Sequence, residues 1–207
     1  MKLKWLGHSC FELTLNNGKI IVTDPYDETV GYPPLQVCAD AVLSSHGHFD
    51  HNHFAAVVGN PKIINAPGRW EACGAQITAV PSWHDEVSGA KRGDNLITLI
   101  EADGLRIAHL GDLGHLPETD AQRDTLTGLD VMLVPIGGFF TIETPQAVEI
   151  INRFKPRCAI AMHFRNRYCQ FTISDSSEFI RLTKAQTLPN EIELTADAPN
   201  GCCVMDI

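Results

Sequence analysis

The sequence predicts a mixed α/β domain built in layers. Its first half holds short apolar runs joined by turn-type sequences, and its second half alternates apolar runs with helical patterns. Hairpins followed by strand–helix units are typical of a layered α/β domain. At 207 residues the chain is long enough for one domain with a sizeable core and too short for two large ones. We therefore predict a single domain over residues 1–207.

The first half is predicted to be mostly strands. The segments Ser9–Leu15 and Ile20–Thr23 are apolar-rich, and Asn16–Lys19 between them has the composition of a turn. Residues 40–44 form a further apolar run that predicts a buried strand. The polar, histidine-rich segment after it is predicted to lead into a helix over residues 52–58.

The hairpin expected in the middle of the chain has a specific turn signal. Asp103-Gly104 separates the strands predicted over residues 96–101 and 105–110, and Asp-Gly is a favoured two-residue hairpin turn. Shorter strands are predicted at 63–64 and 77–80. The segment 81–94 between the second of these and the hairpin is polar and predicts a loop.

The second half is predicted to alternate strands and helices. Apolar runs at 131–134 and 157–162 predict two strands. Between them, Thr144 is a suitable N-cap with Pro145 at the first helical position, and an apolar face recurs at helical spacing after it. Residues 175–183 predict another helix.

Composition excludes several functional classes. The formal net charge is −9, so the chain lacks the basic surface that broad nucleic-acid binding requires. The longest apolar runs are far shorter than the ~20 residues of a membrane span. Seven cysteines form no disulfide pattern, and Met1 to Leu6 leads directly into structured sequence without the features of a signal peptide. We therefore predict a cytoplasmic protein with reduced thiols.

A dense cluster of metal-ligand residues follows the strand at residues 40–44. Five of the eight residues from 46 to 53 are His or Asp. His46 and His48 stand two apart and face the same side of an extended backbone, and Asp50 and His51 follow as the chain turns. Imidazole and carboxylate groups suit zinc and similar divalent metals. We also expect Gly47 to permit a close approach or an unusual backbone dihedral.

Three more strands end in residues of the same type. His84 follows the strand at 77–80, Asp112 follows Gly111 at the end of the hairpin, and His163 ends the strand at 157–162. These side chains converge with the histidine cluster if the strands are neighbours, because sites in α/β sheets commonly lie at the carboxyl ends of strands.

The ligand pattern resembles that of the metallo-β-lactamase superfamily. That pattern is His-x-His-x-Asp-His, a later His, a Gly-Asp pair and a final His. The segments Trp5–Ser9, Thr23–Pro25, Leu110–Asp112 and Val134–Gly138 resemble its small stand-alone members related to the ascorbate-6-phosphate lactonases. The likeness extends to about Phe164. It implies a four-layer αβ/βα sandwich, although Leu113 and Phe164 depart from the residues common in that subgroup.

The resemblance also implies a binuclear metal centre. His46, His48 and His84 would bind the first metal, and Asp50, His51 and His163 the second. Asp112 would bridge the two ions, and Asp24 would orient a ligand imidazole from behind. The two divalent ions are expected to be Zn, with Mn or Fe as alternatives.

The function that follows is hydrolysis of a small ester, lactone or phosphoester by a metal-bridged hydroxide. Asp112 and Asp50 are the expected catalytic residues, and Asp50 would orient the nucleophile or shuttle its proton. Alternatives are a non-catalytic metal-binding or sensor protein and, less favoured, a nuclease of the same superfamily. A flavin-linked di-iron oxidoreductase is not favoured, because such relatives need a flavin-binding partner domain and none fits this chain. The expected partner is a small-molecule substrate, with no nucleic acid and no membrane, and a homo-oligomer is left open.

Several polar residues have two interpretations. His8 is equally compatible with a place beside the site and with a structural role. His53 and His115 are expected at the surface, and His109 inside the protein. Binding of an anionic group is weighed against ordinary surface charge for four further residues: Lys91, Arg92, Arg165 and Arg167. The aromatic residues of segment 137–141 are expected either in a pocket or in the core.

Overall fold

Two β-sheets packed face to face form the centre of the molecule. A computed structural model describes all residues, 1–207. One sheet has six strands, in spatial order β15 (Glu191–Glu193), β1 (Lys2–Gly7), β2 (Cys10–Thr14), β3 (Ile20–Thr23), β5 (Ala41–Leu43) and β7 (Lys62–Ile64). The first four of these strands pair antiparallel, and β3, β5 and β7 pair in parallel.

The second sheet has eight strands, half of them paired antiparallel and half in parallel. Its spatial order is β14 (Gln186–Pro189), β16 (Gly201–Asp206), β13 (Cys158–Met162), β12 (Val131–Pro135), β11 (Leu105–His109), β10 (Asp94–Ala102), β9 (Ala75–Trp83) and β8 (Gly68–Ala72). The strands from β8 to β11 pair antiparallel, as hairpins require, and those from β11 to β14 pair in parallel.

Alternation along the first strands separates two apolar layers. Leu3 and Trp5 of β1 and Phe11 of β2 belong to a core of 43 buried residues that also includes the inward face of the eight-stranded sheet. Val22 and Val42 point to the opposite face and belong to a smaller cluster of 10 buried residues. The six-stranded sheet is therefore buried on both faces.

Three helices cover the eight-stranded sheet. They are α1 (Asp120–Thr125), α2 (Thr144–Phe154) and α3 (Ser177–Thr183). α1 contacts β9 and β10, α2 contacts β12, and α3 contacts β16. The outer face of the six-stranded sheet is covered instead by loops, two 3-10 turns and a ribbon of β4 (Val37–Cys38) and β6 (Val57–Val58). The predicted sandwich is confirmed, and its fourth layer consists of these segments rather than of α-helices. No helix in the molecule is long and apolar enough to cross a bilayer.

The helix predicted over residues 52–58 is wrong. Residues Phe54–Ala56 form a single 3-10 turn, and β6 then pairs in parallel with β4. The His53 N–H donates to the carbonyl of Pro25, outside any helical ladder. Two β-branched valines followed by Gly59 at φ 103° favour the short strand over a second helical turn.

The predicted start of α2 is displaced by one residue. Glu143, and not Thr144, is the N-cap, and it forms a capping box with Gln146. The Thr144 hydroxyl donates to the Ile136 carbonyl, which ties the first turn of the helix to the end of β12. The Thr144 side chain is therefore unable to cap the helix itself.

Candidate metal centre

The four strand ends singled out by the sequence meet at one edge of the sandwich. The histidine-rich loop continues from β5, and His84, Asp112 and His163 follow β9, β11 and β13. Three groups of candidate ligand atoms result, each with its members within 4.8 Å of one another: His46, His48 and His84; His46, His51 and Asp112; His8, Asp50, His51 and His163. All seven predicted ligands are present in these groups.

Asp112 lies at the centre of the cluster. Its Oδ2 atom is 3.2 Å from the Nε2 atoms of His51, His84 and His163 alike. A carboxylate oxygen has two lone pairs, so it cannot accept hydrogen bonds of good geometry from three imidazole nitrogens at once. The same convergence of nitrogen and oxygen lone pairs is what bound divalent ions require.

Asp24 orients two of the ligand histidines, one directly and one through Ser45. Its Oδ2 accepts from His51 Nδ1 at 2.8 Å and from the Ser45 hydroxyl at 2.6 Å, and Oδ1 accepts from the Ser45 N–H at 2.7 Å. Ser45 Oγ in turn lies 2.9 Å from His46 Nδ1. Because the Ser45 proton is given to Asp24, its oxygen accepts from His46. Both imidazoles therefore carry their proton on Nδ1 and present Nε2 to the centre, which is the arrangement expected of oriented metal ligands.

Polar atoms buried in the cluster lack partners within the protein. They are His8 Nδ1, His51 Nε2, His84 Nδ1, His163 Nδ1 and Asp112 Oδ1. Buried polar atoms are rarely left without a partner unless a ligand, ion or water satisfies them. His51 Nε2 and Asp112 Oδ1 belong to predicted ligands, so the donor set and its unsatisfied atoms together fit divalent metal ions.

The charges of the cluster shift its acid–base equilibria strongly. Burial opposes ionisation of Asp112, but the facing histidines outweigh it and lower the pKa of its carboxyl well below the usual range. His51 behaves in the opposite sense. Burial disfavours its charge, yet Asp112, Asp50 and Asp24 raise its pKa well above the usual value. The three carboxylates around His51 therefore favour a positive charge at this position.

The structure places His8 inside the cluster. Its side chain is fully buried, and its Nε2 donates to Asp50 Oδ2 at 3.2 Å. The His8 ring centre lies 4.1 Å from that of His163, and the His163 N–H donates to the His8 carbonyl. Burial and the neighbouring His163 lower the pKa of His8 to about 4, so this imidazole is neutral at pH 7. His8 was compatible either with a place beside the site or with a structural role, and the structure shows the place beside the site.

Gly111 and Asn95 fix the backbone of Asp112. Gly111 adopts φ 55°, and a Cβ there would lie 2.3 Å from Asn95 Oδ1 and 2.5 Å from Ser45 Cβ. Asn95 is fully buried and accepts from the Asp112 N–H at 2.9 Å. Asn95 is not among the residues predicted from the sequence. Its signal was a polar side chain near the start of an apolar strand, which requires a buried partner.

The remaining histidines divide differently from expectation. His109 is buried as predicted, and its Nε2 donates to the Ser9 carbonyl at 2.8 Å. His53 is partly exposed, with Nδ1 4.0 Å from Asp27. The surface position expected for His115 is wrong. It is 8% exposed, and its Nε2 accepts from the Trp83 N–H, so it fixes the backbone next to His84.

The dihedral expectation for Gly47 is also wrong. Its φ lies outside the left-handed region, and a Cβ there would meet no atom within 4 Å. The glycine instead lies at the mouth of the cavity, where the loop is exposed.

A cavity of about 940 Å³ opens onto the ligand cluster. Phe49, Phe139, Phe140 and Phe171 give it apolar walls, and the four metal-ligand residues on its floor are His48, Asp50, His84 and Asp112. The aromatic residues of segment 137–141 thus lie in the pocket. Leu113 and Phe164, which depart from the subgroup pattern, are buried and do not line it.

The four cationic candidates are not equivalent. Lys91 and Arg92 line the cavity, whereas Arg165 pairs with Asp175 at 3.1 Å and Arg167 contacts the carbonyl of Ile207. Segment 84–93 therefore brings positive charge to the site, and segment 165–167 does not.

Comparison with known proteins matches this arrangement to one family. Residues 2–163 match the model of the beta-lactamase superfamily domain, a range that includes every residue of the cluster. A UPF0173 metal-dependent hydrolase from Thermococcus onnurineus is 29% identical over 93% of this chain and 98% of its own, and one from Thermoplasma acidophilum is 30% identical over 79% and 83%. A crystal structure of a metallo-β-lactamase superfamily protein from Thermotoga maritima is 34% identical, with a TM-score of 0.81 over 99% of this chain and 97% of that one.

Proposed function

The chain belongs to the β-lactamase superfamily and is a metal-dependent hydrolase, and from this premise we propose that it hydrolyses a small ester, lactone or phosphoester with two zinc ions. The observation that carries the proposal is the position of Asp112 Oδ2, 3.2 Å from three histidine Nε2 atoms. A carboxylate so placed suits a bridge between two ions. Zinc is preferred because the donors are imidazole and carboxylate, and the Thermotoga relative carries a provisional assignment as a zinc-dependent hydrolase.

The ligands divide into two sets. We assign His46, His48 and His84 to the first ion and Asp50, His51 and His163 to the second, with Asp112 between them. Divalent ions bound there would supply a water of lowered pKa, about 7, and would polarise the oxygen of the reacting group. Asp24 and Ser45 keep the His46 and His51 rings turned so that Nε2 faces the cluster, where it would bind an ion.

The protein residues also prepare the proton transfer. Asp50 is 8% exposed, lines the cavity and accepts from His8 on Oδ2. We assign its other oxygen to the attacking water, which it orients and whose proton it holds. The water oxygen bonds to the carbonyl carbon or phosphorus, the bond to the leaving oxygen breaks, and that oxygen takes up the proton.

A small molecule is the proposed substrate. The cavity volume of about 940 Å³ suits a ligand of small-molecule size, and a chain with net charge −9 opposes a nucleic-acid backbone. The aromatic walls further favour a substrate with an apolar part.

Metal content and turnover of an Asp112→Ala variant test the proposal. We expect about two zinc ions per wild-type chain, with hydrolysis of bis(4-nitrophenyl) phosphate or a simple lactone. The variant should lose metal and at least about 100-fold in activity, since the shared ligand supports both ions. The control is Asp120→Ala, which removes an exposed carboxylate in α1 and should change neither quantity.

Two results would contradict the proposal. A protein that binds no metal after incubation with zinc, manganese or iron would remove its basis. A protein that binds two ions but hydrolyses no ester, lactone or phosphoester would favour the alternative of a metal-binding sensor.

A further inference from the structure

We propose that Arg92 binds an anionic group carried by the apolar part of the substrate, away from the bond that is hydrolysed. The substrate class would then be an ester, lactone or phosphoester with an aromatic or otherwise apolar body and a carboxylate or similar anion. This inference deepens the proposed function and rests on it for the reaction itself.

Arg92 is the cation of the cavity that has no acidic partner. Lys91 also lines the cavity, but its Nζ forms an ion pair with Glu86. The Arg92 guanidinium forms no ion pair and no side-chain hydrogen bond in the protein. The acidic residues of the cavity lining are Asp50 and Asp112, both in the metal cluster. A guanidinium with free N–H donors beside an apolar wall is suited to a planar anion.

Aromatic rings hold the Arg92 side chain over the cavity. Its Cζ lies 5.8 Å from the ring centres of both Phe139 and Phe140. Contacts of this kind attract the cation and limit its rotamers while leaving the N–H edge free to bind. Arg92 is a half-buried residue, so an anion bound to it would be partly shielded from water.

The backbone that carries Arg92 is fixed by a single buried carboxylate. Asp85 is 1% exposed, and its Oδ1 accepts from the N–H groups of Val87 and Gly89. Its Oδ2 accepts from the N–H groups of Lys91 and Arg92, each at 2.8 Å. Asp85 directly follows the ligand His84, so one short segment positions a metal ligand and the proposed anion-binding residue together.

Two exposed aromatic side chains mark the part of the cavity where we place the apolar part of the substrate. Phe139 is 60% exposed and Phe49 is 54% exposed, both on the cavity wall. Large aromatic side chains exposed together on one cavity indicate a contact with an apolar ligand. Because Arg92 packs against Phe139, the anion and the apolar body would occupy adjacent positions.

Equilibrium binding to the zinc-loaded protein tests the proposal. The probes are 2-naphthoate and its neutral analogue 2-naphthamide, measured by calorimetry. We expect wild type to bind the naphthoate at least about 10-fold more tightly, which is the range of a charge-assisted hydrogen bond. Arg92→Gln should lose that preference, and Arg92→Lys should keep part of it because the charge remains without the planar fork.

Two further variants separate charge from shape. Arg69→Gln removes an exposed arginine on β8 outside the cavity and should leave both affinities unchanged. Phe139→Ala should weaken both probes because it removes apolar surface, and it should keep most of the preference for the naphthoate because Phe140 still contacts Arg92. Zinc content and thermal stability of each variant show whether the metal centre and fold are intact.

Specific results would overturn the anion site. Equal affinity of wild type and Arg92→Gln for the naphthoate would overturn the anion site, and loss of that binding on zinc removal would place the anion on the metals instead. A wild type that does not prefer the naphthoate to the naphthamide would also overturn the anion site. Because binding needs no turnover, an Arg92-dependent preference in a protein without hydrolytic activity would overturn the proposed function alone.

Discussion

Asp24 shows how one residue outside the cavity can set the properties of the whole centre. It binds His51 directly and His46 through Ser45, and it adopts φ 42°, a strained backbone for a residue other than glycine. The strain persists because both carboxylate oxygens are engaged. The carboxylate thereby determines which nitrogen of two ligand rings faces the ions.

An Asp24→Asn variant should weaken metal binding by about 10- to 100-fold, the usual effect of losing such an orienting partner. The amide has only one acceptor oxygen for the three bonds that the carboxylate accepts. Competition with a fluorescent chelator measures the affinity. Asp40→Asn, which alters an exposed carboxylate bound to Lys19, is the control, and equal affinities in the two variants would show that Asp24 does not orient the ligands.

Metal uptake should release protons at neutral pH. The carboxylates around His51 outweigh its burial and raise its pKa, and Asp112 likewise raises the pKa of His84 against its burial. A raised pKa increases the fraction of each ring that holds a second proton at pH 7 in the metal-free protein, and the ion must displace that proton. Apparent affinity should therefore increase as pH rises towards the raised pKa. Calorimetry in buffers of different ionisation enthalpy measures the proton count, and heats that do not depend on the buffer would refute the expectation.

At the residue scale, the ligand residues could be predicted from the sequence, whereas the residues that hold them in position could not. His46, His48, Asp50 and His51 are dense in sequence, so a ligand cluster could be inferred before any contact was known. Asn95 and Asp85 are single polar residues that accept from backbone N–H groups, and nothing in the sequence identifies those groups. Their function depends on which segments meet in space, which is a tertiary property.

At the scale of elements, prediction succeeded where local signals were strong. The hairpin at Asp103-Gly104 is confirmed, with both residues at positive φ as such a turn requires. No element was predicted for α1, β8 or the last three strands. β14 and β15 are short and largely exposed, so they carry neither the apolar run nor the alternation on which strand prediction depends.

The segment from Asp85 to Arg92 is an element without regular secondary structure. Asp85→Ala should expose four backbone N–H groups and reduce the free energy of unfolding by about 1–3 kcal/mol. Hydrogen exchange of residues 86–92 should accelerate, and this local readout separates loop opening from global unfolding. Urea denaturation and exchange mass spectrometry measure the two effects. Glu86→Ala is the control, since Glu86 pairs only with exposed Lys91, and an effect as large as that of Asp85→Ala would contradict the interpretation.

At the scale of the whole molecule, the metal centre connects the two sheets. The six-stranded sheet supplies the ligand loop after β5, and the eight-stranded sheet supplies His84, Asp112 and His163. Each proposed ion thus has ligands from both sheets and links them much as a cross-link would. An ion that binds the folded state alone stabilises it by mass action.

Chelation should therefore lower the thermal stability markedly. Two ions at free concentrations about 100 times their dissociation constants contribute about 2.7 kcal/mol each. For a domain of this size, 1 kcal/mol corresponds to roughly 2–4 °C, so complete removal should lower the Tm by at least about 10 °C. Calorimetric scans with and without a chelator, followed by zinc addition, measure the loss and its recovery. An unchanged Tm after verified metal loss would show that the ions do not join the sheets.

The division of the ligands between the sheets also has a consequence for biosynthesis. His46 leaves the ribosome long before Asp112 and His163, and β13, which ends just before His163, pairs with β16 at residues 201–206. A nascent chain that ends after β7 offers three of the predicted ligand imidazoles and one carboxylate, without Asp112. The ligand set is complete only after His163 has been made, and β13 gains β16 as its parallel neighbour later still, so we expect metal loading to follow synthesis of residues 201–206.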